Sequence, residues 1–184
     1  MALLEFGTPR ENEERRDGGC AVVFDPATER YAVGERGKDG LLILYSGGVE
    51  DGEDMKAGIL REVREESGLY DFAHIEKIAE ALTHYRNRNK NVNRLAHATC
   101  LLAILASADT VPTRLEAHED FTLRWVTPDA LLANWREHNA DHGLDHWVYF
   151  FGNAVVRAVE LGYDRTANAA ALRAAADAVA SGAR

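Results

Sequence analysis

Cysteine is scarce in this chain. Cys20 and Cys100 are the only two among 184 residues, too few for a disulfide framework, and neither sits in a CxxC or Cys/His spacing suited to zinc. They read as two reduced thiols in or beside strands. Long apolar runs are also missing: no stretch approaches the ~18 residues of a membrane span. The opening MALLEFGTPRENEERRD turns charged after a few apolar residues, unlike the basic start and long apolar run of a secretory signal. The expectation is a cytoplasmic protein with no membrane partner. Positive charge is in deficit, with a formal net charge of -9. That balance argues against nucleic acid as a partner, since coating it needs a strongly basic surface. It still permits a small anionic substrate neutralised locally. No internal repeat of solenoid type is present.

What remains is ordinary for a single globular domain: 46% hydrophobic and 28% charged residues, enough for a sizeable core. Residues 1–17 are polar and read as a loosely ordered segment or a short lead-in strand. CAVVFD (Cys20–Asp25) and YAVGER pair as a hairpin around the turn PATER, and LLILYS (Leu41–Ser46) reads as a further buried strand. HIEKIAEALTHYR, RLAHATCLLAILAS and FTLRWVT follow as strands, and PDALLANWREHN as a short helix. Residues 144–162 carry Trp147, Phe151 and Val155 at helical spacing. The tail is an alanine-rich helix that packs on the domain or on a second copy, so a homodimer is one arrangement it would serve. The fold class expected is α+β, an α-β-α sandwich built on a mixed sheet flanked by helices, with extra C-terminal helices. Its core domain spans 18–165, followed by the helix of 166–184.

The segment Gly47–Leu69, GGVEDGEDMKAGILREVREESGL, collects seven carboxylates. From Asp54 to Ser67 the apolar residues Met55, Ile59, Leu60 and Val63 fall at helical spacing, and Gly68 suits a C-terminal cap. Glu62, Glu65 and Glu66 are then three and four residues apart on one face. Like charges so placed each cost a few tenths of a kcal/mol. Arg61 and Arg64 are not in the favourable order to offset them. Clustered oxygen donors suit a hard divalent cation, and the glycines before the helix let backbone approach a ligand closely. Glu53 stands where the helix macrodipole favours a carboxylate.

With Gly47, Glu53, Arg61, Glu62, Val63, Glu65, Glu66, Gly68 and Leu69, this segment resembles the Nudix box, G-x5-E-x7-R-E-U-x-E-E-x-G-U with U aliphatic, at every fixed position. The later stretch LRWVTPDAL is similar to that family as well. The resemblance implies a Nudix hydrolase that cleaves a phosphoanhydride bond in a nucleoside diphosphate linked to another moiety, by water attack on phosphorus with Mg2+ or Mn2+. It implies that Glu62, Glu65 and Glu66 hold metal, that Glu53 assists, and that Arg61 orients the carboxylates. A non-catalytic nucleotide-sensing domain, and isomerisation through Cys100, are the competing readings.

Outside the box, a downstream acid is expected to act as base or ligand. Glu116, Glu119 and Asp120 qualify, with Glu119 chosen for its place before the FTLRW strand. Tyr85 follows Leu69 by 16 residues, where the resemblance implies a base-stacking tyrosine of dinucleoside polyphosphate hydrolases. The ADP-sugar enzymes carry a proline there, and none occurs between Pro26 and Pro112. This favours a dinucleoside polyphosphate or nucleoside triphosphate over ADP-ribose or a nucleotide sugar. Arg86, Arg88, Lys90 and Arg94 would clamp phosphates or simply be solvated. His138, His142 and His146 recur every four residues, but Gly143 interrupts a zinc reading. Trp125, Trp135 and Trp147 read as core.

Overall fold

The computed structural model describes residues 3–87, 90–115 and 120–183, without the side chains of 140–142. Among the described residues, nine strands and four helices follow in order: β1 Leu4–Phe6, β2 Glu14–Arg15, β3 Gly18–Asp25, β4 Arg30–Arg36, β5 Leu42–Ile43, β6 Tyr45–Gly48, α1 Met55–Ser67, β7 Phe72–Asn87, β8 Val92–Leu105, β9 Phe121–Val126, α2 Pro128–His142, α3 Asp145–Glu160 and α4 Ala169–Gly182. The sheet is mixed. Its main path runs β1-β7-β8-β3-β4-β5, with β2 on β8, β6 on β3 and β9 on β4. β3 lies parallel to β8 and antiparallel to both β4 and β6.

Side-chain alternation divides the core by sheet face. Val22, Phe24, Cys100 and Leu102 join Trp135, Phe151 and Val155 of α2 and α3. Val23, Leu101 and Ala103 face Ile59 and Val63 of α1. The result is the expected helix-sheet-helix sandwich with helices added at the C-terminus. Cys20 and Cys100 are in register on adjacent strands, buried and unlinked. α4 closes on α3 at Gly152, where an added Cβ would lie 2.9 Å from that of Ala176.

Of the two forms expected for the N-terminal segment, the structure has short strands. Leu4–Phe6 add a parallel edge strand to Ala81–Thr83 of β7, and Glu14–Arg15 pair with Arg94–Leu95. The tie is tertiary. Phe6 is buried, and His84 is held between Glu5 Oε1 at 2.6 Å and Glu13 Oε2 at 2.8 Å.

The connection after α3 is fastened by a buried pair: the Tyr31 hydroxyl donates to Asp164 Oδ2 at 2.7 Å. Asp164 Oδ1 accepts from the backbone N–H of Thr166 and Ala167. Tyr31→Phe strands one buried carboxylate oxygen and is expected to cost about 2 kcal/mol. Urea unfolding would read this as a lower midpoint at unchanged slope.

Candidate active site

β6 delivers Ser46–Gly48 beside Gly18–Cys20 of β3, and the chain then turns into α1. Asp54, at a variable position of the motif, is the N-cap, its carboxylate accepting from Ala57 N at 3.0 Å. Gly68 closes the helix in the left-handed region at φ 80°, as its lack of Cβ allows. Gly47 has a packing role: a Cβ there would collide with the Glu62 carboxyl group, so the glycine lets Glu62 lie against the strand backbone.

Arg61 gathers the acidic residues. Its Nε and Nη2 donate to the two oxygens of Glu53 at 3.0 and 3.1 Å. Nη1 donates to Glu62 Oε1 at 2.8 Å and Glu65 Oε2 at 3.1 Å. One guanidinium therefore counters repulsion among three carboxylates. This arises from the Arg61–Glu65 spacing in the order less favoured on an isolated helix. Glu66 turns away from this hub; its Oε2 accepts from Ser46 N at 3.2 Å, and its residue is buried at 7% exposure. The Tyr45 hydroxyl beneath is pushed upward in pKa by burial first and then by the Glu66 charge.

Arg61, with help from the Glu50 backbone N–H, holds Glu53 down to about pKa 2 from 4.5. The folded value lies below the unfolded one. Ionised Glu53 therefore stabilises the loop-helix junction above pH 4.5, and this contribution is lost as pH falls from there toward 2. Thermal melts from pH 6 to pH 3 are expected to show a steeper acid decline for the native chain than for Glu53→Gln.

A cavity of about 520 Å³ opens beside the box, with Gly47, Gly48 and Glu62 in its wall. Tyr85 and Arg86 line the same cavity, together with Lys90 and Arg94. The structure thus brings Tyr85 and Arg86 to Glu62. Glu53, Glu65 and Glu66 are not among the residues that line it, and Arg61 ties Glu53 and Glu65 to Glu62. Arg88, Glu116 and Glu119 lie outside the described residues. Asp120 packs at Gly37, whose N–H donates to the Asp120 backbone carbonyl, and is not among the residues lining this cavity.

Arg16, Arg36, His146 and Trp147 also line the cavity, and none of them was singled out as ligand-facing from sequence. Arg16 lies over Gly48, where a Cβ would strike its guanidinium, and makes no ion pair among the described residues. Arg36 pairs with Asp39. The signal for Arg16 is its place two residues before the strand that pairs with β6, legible only once that pairing is known. Of the tryptophans, Trp135 is core as expected. His138 and His146 do not converge: His138 bonds the carbonyls of Asn134 and Asp39, whereas His146 lines the cavity; the side chain of His142 lies outside the described residues.

The sequence model of the NUDIX domain matches residues 14–148. The chain belongs to the Nudix family. A Nudix domain with this box is a hydrolase of pyrophosphate bonds. No curated protein matches the chain in sequence. Among solved structures, the chain is similar to the NUDIX domain of Shewanella oneidensis NrtR complexed with ADP ribose, at 16% identity, TM-score 0.51, and coverage of 69% of this chain and 82% of that one. It is also similar to a NUDIX hydrolase from Nitrosomonas europaea, at 19% identity, TM-score 0.48, and coverage of 67% and 79%. These likenesses concern the fold.

Nudix domains generally use divalent metal cations. The donor chemistry here fits one: Glu62 lies against Gly47 and Glu66 accepts from Ser46 N, so among the described residues the strand end is met by carboxylates and by no thiolate or imidazole. Among the described residues no group of three His, Cys, Asp or Glu stands ready as a complete cage. A cation at this Nudix site would draw on a few carboxylates, with waters and substrate phosphate oxygens completing its shell, as magnesium prefers.

Proposed function

We propose that this Nudix hydrolase cleaves the phosphoanhydride bond of a small-molecule nucleotide, a nucleoside diphosphate linked to another moiety, with Mg2+ or Mn2+. A dinucleoside polyphosphate or nucleoside triphosphate is the favoured class. The observation that carries the reading is the single cavity in which the box residue Glu62 meets Tyr85 and several arginines. A volume of 520 Å³ falls within the range of small-molecule sites, about 300–1,000 Å³.

Glu62, Glu65 and Glu66 are assigned to hold the metal, which when bound would polarise the phosphate and lower the pKa of the attacking water. Arg61 keeps Glu62 and Glu65 in place, and Glu53 fixes Arg61 by its two-oxygen contact. Tyr85, 38% exposed, is assigned to stack on a base, and Arg86 with Arg88 to contact phosphates. Glu119 is assigned as the downstream base or ligand. A second reading, hydrolysis of ADP-ribose, is supported by the ADP ribose bound to the NrtR domain.

The test is a hydrolysis screen under Mg2+ and Mn2+ covering nucleoside triphosphates, dinucleoside polyphosphates, nucleotide sugars and ADP-ribose, with products resolved by chromatography. Expected are phosphoanhydride cleavage and its loss on chelation. Nucleotide binding without turnover under either metal would replace this reading with a sensing domain.

A further inference from the structure

The cavity crosses most of the sheet. Tyr85 lies on β7, and Leu41 and Ile43 lie at the β5 side. The path β7-β8-β3-β4-β5 contains four strand spacings, roughly 19 Å at ~4.8 Å each. The box enters between these limits, since β6 pairs with β3. Tyr85 therefore supplies one aromatic pole, and the far pole belongs to α3.

The first turn of α3 is braced by α2, which is itself bonded to β5. Trp135 Nε1 donates to Leu42 O at 2.7 Å, and the Trp135 ring packs on that of Trp147 at 5.7 Å. His146 sits beside Trp147 at 5.7 Å and edge-on to Phe150 at 6.4 Å. All three line the cavity, with Leu41 and Leu144.

His146 also brings a polar ring to this wall, lining the cavity beside Trp147. Burial depresses the His146 pKa to about 4, so the ring is neutral near pH 7. A neutral imidazole carries its proton on one nitrogen and presents a lone pair on the other. That nitrogen has no partner among the described residues.

We infer that His146 and Trp147 form a second nucleobase subsite, in which Trp147 offers a flat apolar surface and the free imidazole nitrogen of His146 accepts a hydrogen bond from an amino-bearing base. The inference rests on the nucleotide reading above and sharpens it. The pole opposite Tyr85 selects a nucleobase over a bare sugar phosphate, with Arg16 and the box between the two.

The test is nitrogen-15 NMR of the histidine ring nitrogens in the intact protein, titrated with the 5′-monophosphates of adenosine, guanosine and cytidine. The 5′-monophosphate of purine riboside, which lacks the amino group, is the control. Expected is a shift of the unprotonated His146 nitrogen with at least one amino-bearing nucleotide, and about tenfold weaker binding of the control than of adenosine 5′-monophosphate if adenine is the base held. His146→Phe, which keeps a flat ring and removes the acceptor, is expected to weaken that nucleotide about tenfold, and His146→Gln to recover part of the loss. An unmoved His146 signal, or equal binding by His146→Phe, overturns the subsite even if the enzyme hydrolyses nucleotides. A shifted signal with no hydrolysis of any substrate upholds the subsite and overturns the catalytic reading instead.

Discussion

Changing Glu66 to glutamine is expected to lower kcat on the order of 10³-fold and leave the fold intact. Glutamine keeps the shape and an acceptor for the Ser46 N–H, which donates to Glu66 at 3.2 Å. What it removes is charge at a residue only 7% exposed. A buried carboxylate beside Glu62 and Glu65 is costly until a cation is counted, so Glu66→Gln is expected to melt no lower than the native protein. The rate effect corresponds to several kcal/mol of transition-state stabilisation by a bound metal. Glu65→Gln should behave alike, although Arg61 Nη1 at 3.1 Å makes its stability change less favourable. Steady-state kinetics in magnesium, paired with thermal melts, measure both quantities. Undiminished hydrolysis by both folded variants would rule out the assigned metal chemistry.

The second large effect concerns Arg61. Its guanidinium contacts Glu53 through two nitrogens and bridges Glu62 and Glu65 through the third. A lysine ammonium is a single point charge without that planar fork. Arg61→Lys is therefore expected to lose about 10- to 100-fold in activity, the range for residues that orient metal-holding groups. Part of the loss should appear as a higher magnesium concentration at half-maximal rate. Arg61→Ala should lose as much activity and also stability, since Glu53, Glu62 and Glu65 then face one another without a cation. An Arg61→Lys enzyme with native magnesium dependence and rate would mean that the three carboxylates hold their positions without the fork.

Some of this was readable residue by residue. Ile59 and Val63 lie on the buried stripe of α1, as their spacing implied, because a 3.6-residue period leaves a helix of this length little choice of face. Gly68 is a left-handed cap because few other residues adopt φ 80° without strain. Asp54 is the N-cap, a role that depends on the local turn preceding the helix.

The N-terminal strand was harder to read. Leu4 and Phe6 alone carry weak strand preference, and the pairing partner Ala81–Thr83 lies more than 70 residues away. The clasp of Glu5 and Glu13 on His84 has no local signature for the same reason. The cavity shows the limit most clearly. Arg16, Tyr85 and His146 share one wall system, yet each sits in a different segment with nothing periodic to connect them.

The sequence by itself determined the chemistry of the box and the helix that carries it, because these depend on contacts among neighbours in the chain. Glycine spacing, capping and carboxylate placement are local quantities. Only the tertiary structure decided which cations and aromatic rings face the box. Those depend on the parallel pairing of β3 with β8 and on the bracing of α3 by Trp135 of α2, which is bonded to β5, where long-range packing sets the neighbours.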